Sequence, residues 1–342
     1  MSKKCVRRVK KFKKFFDERI KIASFGVSLM LAFSFFGYVF YKSIYIPLPS
    51  AKSPILFYTN STHSLRHLIV TALKSAQKSI ELSSYALTDE SVLLTIFKKN
   101  IPLRILTDHK TLPRAFRVFQ EKLPWELRKT KGLMHEKILL VDGNTSYLGS
   151  ANMTYESLKI HENLIVGIYD ETFAKALSKN TFGIQKFNIE GMDVTFCRLP
   201  CKKENPSYLI KNLIETATSS INIAMFTLTH KELVNSLIQA RQRGVDIKIY
   251  LDRTSSNGSS KKALIKIQSA NIPVFVNVGQ ELLHHKMMLV DGNTFILGSA
   301  NWTGSAFAKN QDFFLILKSL KKPYRKEIER VFSKLNKRTK LK

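Results

Sequence analysis

Two histidines stand two positions ahead of a lysine in nearly identical surroundings, His135 before Lys137 and His284 before Lys286. Side chains alternate faces along a strand, so each histidine points the same way as its lysine. That pairing suits a phosphodiester. The lysine neutralises the non-bridging oxygens as charge builds, while the imidazole attacks phosphorus or supplies a proton. Asp142 and Asp291 follow, and then Gly149-Ser150-Ala151-Asn152 and Gly298-Ser299-Ala300-Asn301. These small residues let backbone and amide donors approach an oxyanion, completing a phosphate cradle. Hydrolysis through a covalent intermediate needs both a nucleophile and an acid, and each unit supplies one histidine. A lone His-x-Lys is more often surface decoration, but the repetition of its whole context makes chance a poor explanation.

The elements that position these residues also occur twice. Leu65, Leu68, Ile69, Ala72 and Ala76 share one helical face ahead of a strand-like Ile80 to Ala86, as Tyr208 to Thr218 precedes Ile221 to Phe226. A strand ending in Asp108 matches one ending in Asp252. Val-Asp-Gly-Asn-Thr between two apolar runs then predicts a tight hairpin in each half, because Asp-Gly tolerates positive φ. Further strands follow at Leu164 to Tyr169 and Phe313 to Leu317. Strands alternating with helices give α/β units with mixed sheets.

His135, Lys137, Asp142, Gly149, Ser150 and Asn152, with His284, Lys286, Asp291, Gly298, Ser299 and Asn301, resemble the two HKD motifs of the phospholipase D superfamily. The resemblance covers nearly everything after residue 41. It implies two α/β repeats packed about a pseudo-twofold axis, histidines meeting across that interface, and catalysis needing neither cofactor nor metal. It further implies that His135 forms a phosphohistidine while His284 protonates the leaving alcohol and then activates water. Lys137, Lys286, Asn152 and Asn301 would hold the phosphate, with Asp142, Asp291, Ser150 and Ser299 supporting. Family members carry a downstream acidic residue that bonds the histidine's other nitrogen. Glu162 fits in the first half; in the second, Gln311 fits without a register slip and Asp312 with one. His285, on the opposite strand face, reads as structural or exposed.

The formal charge of +29 over 342 residues points to an anionic partner, and the excess gathers in the first 21 residues and the last 25 or so. Ile22 to Tyr41 carries no charged residue, about the 20 positions a helix needs to cross a bilayer. Ten basic residues ahead of it against Lys42 behind predict a single-pass anchor with a cytoplasmic amino terminus and a periplasmic, extracellular or lumenal catalytic domain. A cleaved signal peptide is the competing reading. The expected organisation is a basic segment at 1–21, the anchor at 22–41, a linker at 42–54, repeats at 55–190 and 205–335, and a basic tail at 336–342. Cys197 and Cys201 are candidates for a small disulfide loop and offer too few ligands for zinc.

Fold does not choose among the superfamily's substrates. A tethered domain meets phospholipid at high effective concentration, which favours head-group hydrolysis or transfer by a monomer holding both half-sites. A membrane-tethered nuclease and a cardiolipin-synthase-like phosphatidyl transferase are the alternatives within the superfamily. A silent lipid-binding scaffold is a third reading, which the intact motifs disfavour.

Overall fold

A computed structural model of the chain describes residues 25–37, 45–111, 123–201 and 205–342. It divides into one unit up to Pro47 and a second from Leu48 to Lys342. In the first, residues 25–37 form a helix whose large apolar side chains, Phe25, Met30, Leu31, Phe33 and Phe36 among them, are exposed. Among the described residues no helix is long and apolar enough to cross a membrane. The spanning helix expected over 22–41 therefore has only a central helical stretch to support it. Its two ends, and the basic segment 1–21, lie outside the described residues.

In the second unit a seven-stranded sheet comprises β1 (Ile55–Thr59), β2 (Ile80–Ser84), β3 (Leu103–Asp108), β4 (Trp125–Arg128), β5 (Lys137–Val141), β6 (Thr145–Gly149) and β7 (Leu164–Tyr169), in spatial order β1-β7-β6-β5-β2-β3-β4. A nine-stranded sheet comprises β8 (Gly183–Ile189), β9 (Met192–Leu199), β10 (Ser220–Met225), β11 (Asp246–Leu251), β12 (Val274–Asn277), β13 (Lys286–Val290), β14 (Thr294–Gly298), β15 (Asp312–Lys318) and β16 (Thr339–Leu341), in the order β16-β12-β11-β10-β13-β14-β15-β9-β8. Both sheets are mixed. β2–β3 and β10–β11 pair in parallel, while β5–β6 and β13–β14 are antiparallel hairpins.

Each hairpin turns as its sequence predicts. Asp142 and Gly143 have φ of 54° and 69°, and Asp291 and Gly292 have 50° and 62°. Both aspartates also cap the strand beside them, Asp142 accepting from the amides of Gln77, Lys78 and Ser79 and Asp291 from those of Thr218, Ser219 and Ser220. Burial pushes the Asp291 carboxyl up, but those amides outweigh it and bring it down to about 2. These aspartates build the turn and lie at the hairpin end away from the histidines.

The helical face Leu65, Leu68, Ile69, Ala72 and Ala76 is buried, as its spacing predicts. Between the sheets lies a shared apolar layer, with Phe57, Ile138, Leu140 and Val166 from one and Met287, Leu289, Phe295 and Phe313 from the other. The helix Lys322–Arg338 adds Ile328, Val331 and Phe332 to it. A second core packs the nine-stranded sheet against its own helices. β8 has no counterpart in the first half, whereas β9 lies beside β15 as β1 lies beside β7, in a register running from Asp312↔Leu199 to Lys318↔Asp193. Cys197 lies buried in β9 and no disulfide joins it to Cys201.

β9 also places Arg198 against the first sheet. Its Nε donates to Glu136 Oε1 at 2.8 Å and both Nη atoms donate to the Leu177 carbonyl, with almost no exposure at either end of the ion pair. Removing one partner would leave an uncompensated buried charge. Arg198→Met is expected to lower unfolding free energy by about 3–5 kcal/mol in urea titration, more than any exposed Arg→Met change.

Candidate active site

Each histidine sits just ahead of a hairpin, where its chain leaves one half and pairs briefly with the other. The His135 amide donates to the Gln311 carbonyl at 2.7 Å, and the Gln311 amide to Leu133 O at 2.8 Å. On the other side His284 N donates to Glu162 O and Glu162 N to Leu282 O, both at 2.9 Å. The two parallel bridges Met134↔Gln311 and Glu162↔Leu283 are therefore twofold-related stitches between the halves.

The stitches fix which side chain reaches each ring. Glu162 and Gln311 spend their backbones on the pairing, so the next residue turns the opposite way and faces an imidazole. Asp312 Oδ1 lies 2.8 Å from His135 Nδ1, and Asn163 Oδ1 lies 2.9 Å from His284 Nδ1. The orienting groups are thus exchanged between halves. Asp312 is the second-half residue and serves the first-half histidine. Glu162, expected to orient a ring, instead pairs with Arg338 of the carboxyl-terminal helix. Burial raises its carboxyl, opposed by that guanidinium. Gln311 bonds Asn180, also away from the rings.

The motif serines lock these partners. Ser299 Oγ donates to Asp312 Oδ1 at 2.7 Å and accepts from Phe313 N; Ser150 Oγ donates to Asn163 Oδ1 at 2.9 Å and accepts from Leu164 N. The motif glycines permit this closeness. A Cβ on Gly149 or Gly298 would collide with the carbonyl of Leu164 or Phe313 on the adjoining strand. Strand packing, rather than approach to a bound oxyanion, is what requires glycine here.

Lys137 and Lys286 are buried, and each donates back to the carbonyl of its own histidine, at 2.6 and 2.7 Å. Tyr85 lies 5.2 Å from the His135 ring and 5.5 Å under Lys137 Nζ; Phe226 lies 5.0 Å from both His284 and Lys286. Burial pulls all four groups down, and neighbouring positive charge adds to it at His135, His284 and Lys286. Lys137 falls to about 7 through burial, opposed by Asp312, and Lys286 falls well below its ordinary value through burial and Lys137. His135 is lowered by burial and Lys137, and His284 well lowered by burial, Lys286 and Lys137. Each lysine acts on the other half's histidine, so the four side chains form one electrostatic cluster. Asn152 and Asn301 each hold a buried Oδ1 without a hydrogen-bond partner; that oxygen only accepts, so the Nδ2 of each amide is the group able to donate to an anion.

Sequence reasoning passed over several supporting residues. Asp108 and Asp252, at or beside the strand ends, accept from Met134 N at 2.7 Å and Leu283 N at 3.0 Å and so hold the chain ahead of each histidine. Their signal was the matching aspartate in both halves. Tyr85 and Phe226 likewise occupy matching positions, two residues before Leu87 and Leu228. Asn163 was legible by setting Glu162-Asn163-Leu164 against Gln311-Asp312-Phe313 without a slip. His285 is buried with both ring nitrogens unpartnered, and burial and Lys286 lower it to about 3, leaving it neutral in the apolar layer. Among the described residues no group of three or more His, Cys, Asp or Glu is placed to hold a metal.

With Nδ1 tied, the uncommitted nitrogen of each ring is Nε2, and two such imidazoles beside two lysines can perform a displacement at phosphorus in two steps. Comparison with known proteins accords with this geometry. The family described as cardiolipin synthase, PLD-like domain, matches residues 69–182 and 210–336, one region in each half. A phospholipase D of Rickettsia conorii is 29% identical over 149 residues, 42% of this chain and 72% of that protein. A mitochondrial cardiolipin hydrolase of Xenopus laevis is 29% identical over 138 residues, 40% of this chain and 65% of that protein. The crystal structure of phosphatidylserine synthase from Haemophilus influenzae superposes with a TM-score of 0.70 at 13% identity, covering 88% of this chain and 90% of that one, which establishes the shared fold.

With Lys137 lowered to about 7 by burial, the cluster should bind anions better below that pH. Sulfate keeps its charge there, so its stabilisation of the folded chain, read as a Tm shift, is expected to shrink as pH rises through about 7. A pH-independent shift would contradict the assignment.

Proposed function

This chain belongs to the phospholipase D-like family, and from that membership we propose that it is a phosphodiesterase that removes or exchanges phospholipid head groups through a phosphohistidine. The observation that carries the reading is the pairing of two buried imidazoles, each tied at Nδ1 by the opposite half, with two buried lysines. The relatives named phospholipase D and cardiolipin hydrolase support a phosphodiesterase and favour lipid.

In the proposed reaction His135 Nε2 attacks phosphorus as the bond to the head-group oxygen breaks, and the Nε2 proton of cationic His284 passes to that oxygen. The phosphorylated His135 ring is cationic, and Asp312 on Nδ1 stabilises that charge. Water, or an alcohol in a transfer reaction, then gives its proton to His284 and attacks phosphorus, breaking the P–N bond and restoring both rings. Lys137, Lys286, Asn152 and Asn301 hold the non-bridging oxygens throughout, and both half-sites come from one chain, so a monomer suffices.

A single-pass attachment through 22–41 is part of the proposal. It rests on the uncharged run and on the basic residues concentrated ahead of it, and would place the catalytic unit on the non-cytoplasmic side. Net charge favours nucleic acid as the second reading.

Full-length protein is expected to release head group from vesicles of cardiolipin or phosphatidylglycerol. His135→Ala and His284→Ala should each reduce turnover by about 100-fold or more. Cleavage of single-stranded DNA without lipid turnover would transfer the proposal to nucleic acid, and unchanged turnover in either variant would sink the two-histidine mechanism.

A further inference from the structure

The two imidazoles differ in one respect. His135 has a carboxylate on Nδ1, whereas His284 has a carboxamide. The direction of the second contact is fixed by what surrounds Asn163. Its Nδ2 donates to the Ser157 carbonyl at 2.9 Å and to Ser157 Oγ at 3.2 Å, so Oδ1 is the atom turned to the ring. That oxygen also receives the Ser150 hydroxyl proton at 2.9 Å, because Ser150 Oγ is already accepting from Leu164 N. Oδ1 is therefore an acceptor only, and His284 Nδ1 must carry the hydrogen. In neutral His284 the proton sits on Nδ1 and the lone pair on Nε2.

We propose that Asn163 is a positioning residue that holds His284 in the Nδ1-protonated form while withholding any counter-charge, so that this imidazole binds its second proton weakly and releases it readily to the leaving oxygen. The inference rests on the phosphodiesterase reading and assigns the proton-handling step to a residue of the opposite half.

The charged neighbours of His284 point the same way. Lys286 follows on its own strand, Lys137 and His135 face it from the first half, and His161 lies beside the stitch; these act on it most strongly, and each is a cation or an imidazole. The uncharged ring of Phe226 lies beside it at 5.0 Å. Asp312, the carboxylate of the cluster, bonds the other histidine. A carboxylate in place of the Asn163 amide would set an anion against His284 Nδ1 and favour its cation by about 1–3 pKa units. Asn163→Asp changes almost no volume and keeps an acceptor at the ring but loses the Nδ2 donation to the Ser157 carbonyl, so the position of the pH limb reads the gain of charge and the size of kcat reads the loss of position.

The test is the pH profile of kcat/KM for a chromogenic phosphodiester, bis(4-nitrophenyl) phosphate, with full-length protein. His284 must be charged to give up a proton, so activity falls as pH rises past its pKa. Asn163→Asp is expected to move that alkaline limb upward by about 1–3 pH units, and Asn163→Leu to lower kcat while Asn163→Gln partly restores it. An alkaline limb that stays in place in Asn163→Asp, or a displaced acid limb instead, would overturn the inference. If Asn163→Asp does not fold, ¹⁵N spectra of the unaltered protein decide it: Nδ1–H with bare Nε2 for His284 is expected, and the opposite tautomer overturns the assignment. Loss of turnover in His284→Ala beside an unmoved limb would remove Asn163's role and leave the phosphodiesterase reading standing.

Discussion

Neither half of this protein can orient its own histidine. The backbone ahead of each HKD hairpin pairs with the segment entering β7 or β15 of the other half, and the side chain one residue further reaches across to the imidazole. A hydrogen bond of 2.8 or 2.9 Å across an interface tolerates little drift, so the two sheets must be held face to face to a fraction of an ångström. The shared apolar layer, the β9–β15 pairing, the buried Glu136–Arg198 ion pair and the helix Lys322–Arg338 all bear on that one requirement.

The interface also concentrates positive charge. Lys137 and Lys286 are taken out of water beside two imidazoles; Asp312, Glu136 and Asp252 only partly offset that burial, and the depression of all four basic groups expresses the cost. A phosphodiester bound there lowers that cost, since its anionic oxygens favour the charged form of each base.

Much of this was legible in local sequence. The hairpins follow from Asp-Gly turns, the strand pairs from apolar runs, and the placement of His135 with Lys137 and His284 with Lys286 from alternation. The orienting residues were not, because they depend on which atoms the inter-half pairing consumes. Glu162 has the right chemistry but gives its backbone to the stitch and its carboxylate to Arg338. Asn163 has the less expected chemistry and the right facing. β8 escaped notice because the repeat offers it no counterpart, and Gly149 and Gly298 were read for the wrong neighbour.

Joining both halves in one polypeptide has a historical consequence. A site assembled from two identical chains must place the same residue against both histidines, and any change at that position appears twice. Once the repeat is duplicated and fused, each copy can drift independently. One can keep an acid while the other accepts an amide, as at Asp312 and Asn163, and one can keep an ion pair at Glu136 where the other holds a neutral His285. Symmetry survives in the backbone because packing enforces it, and the side chains are free to divide the labour.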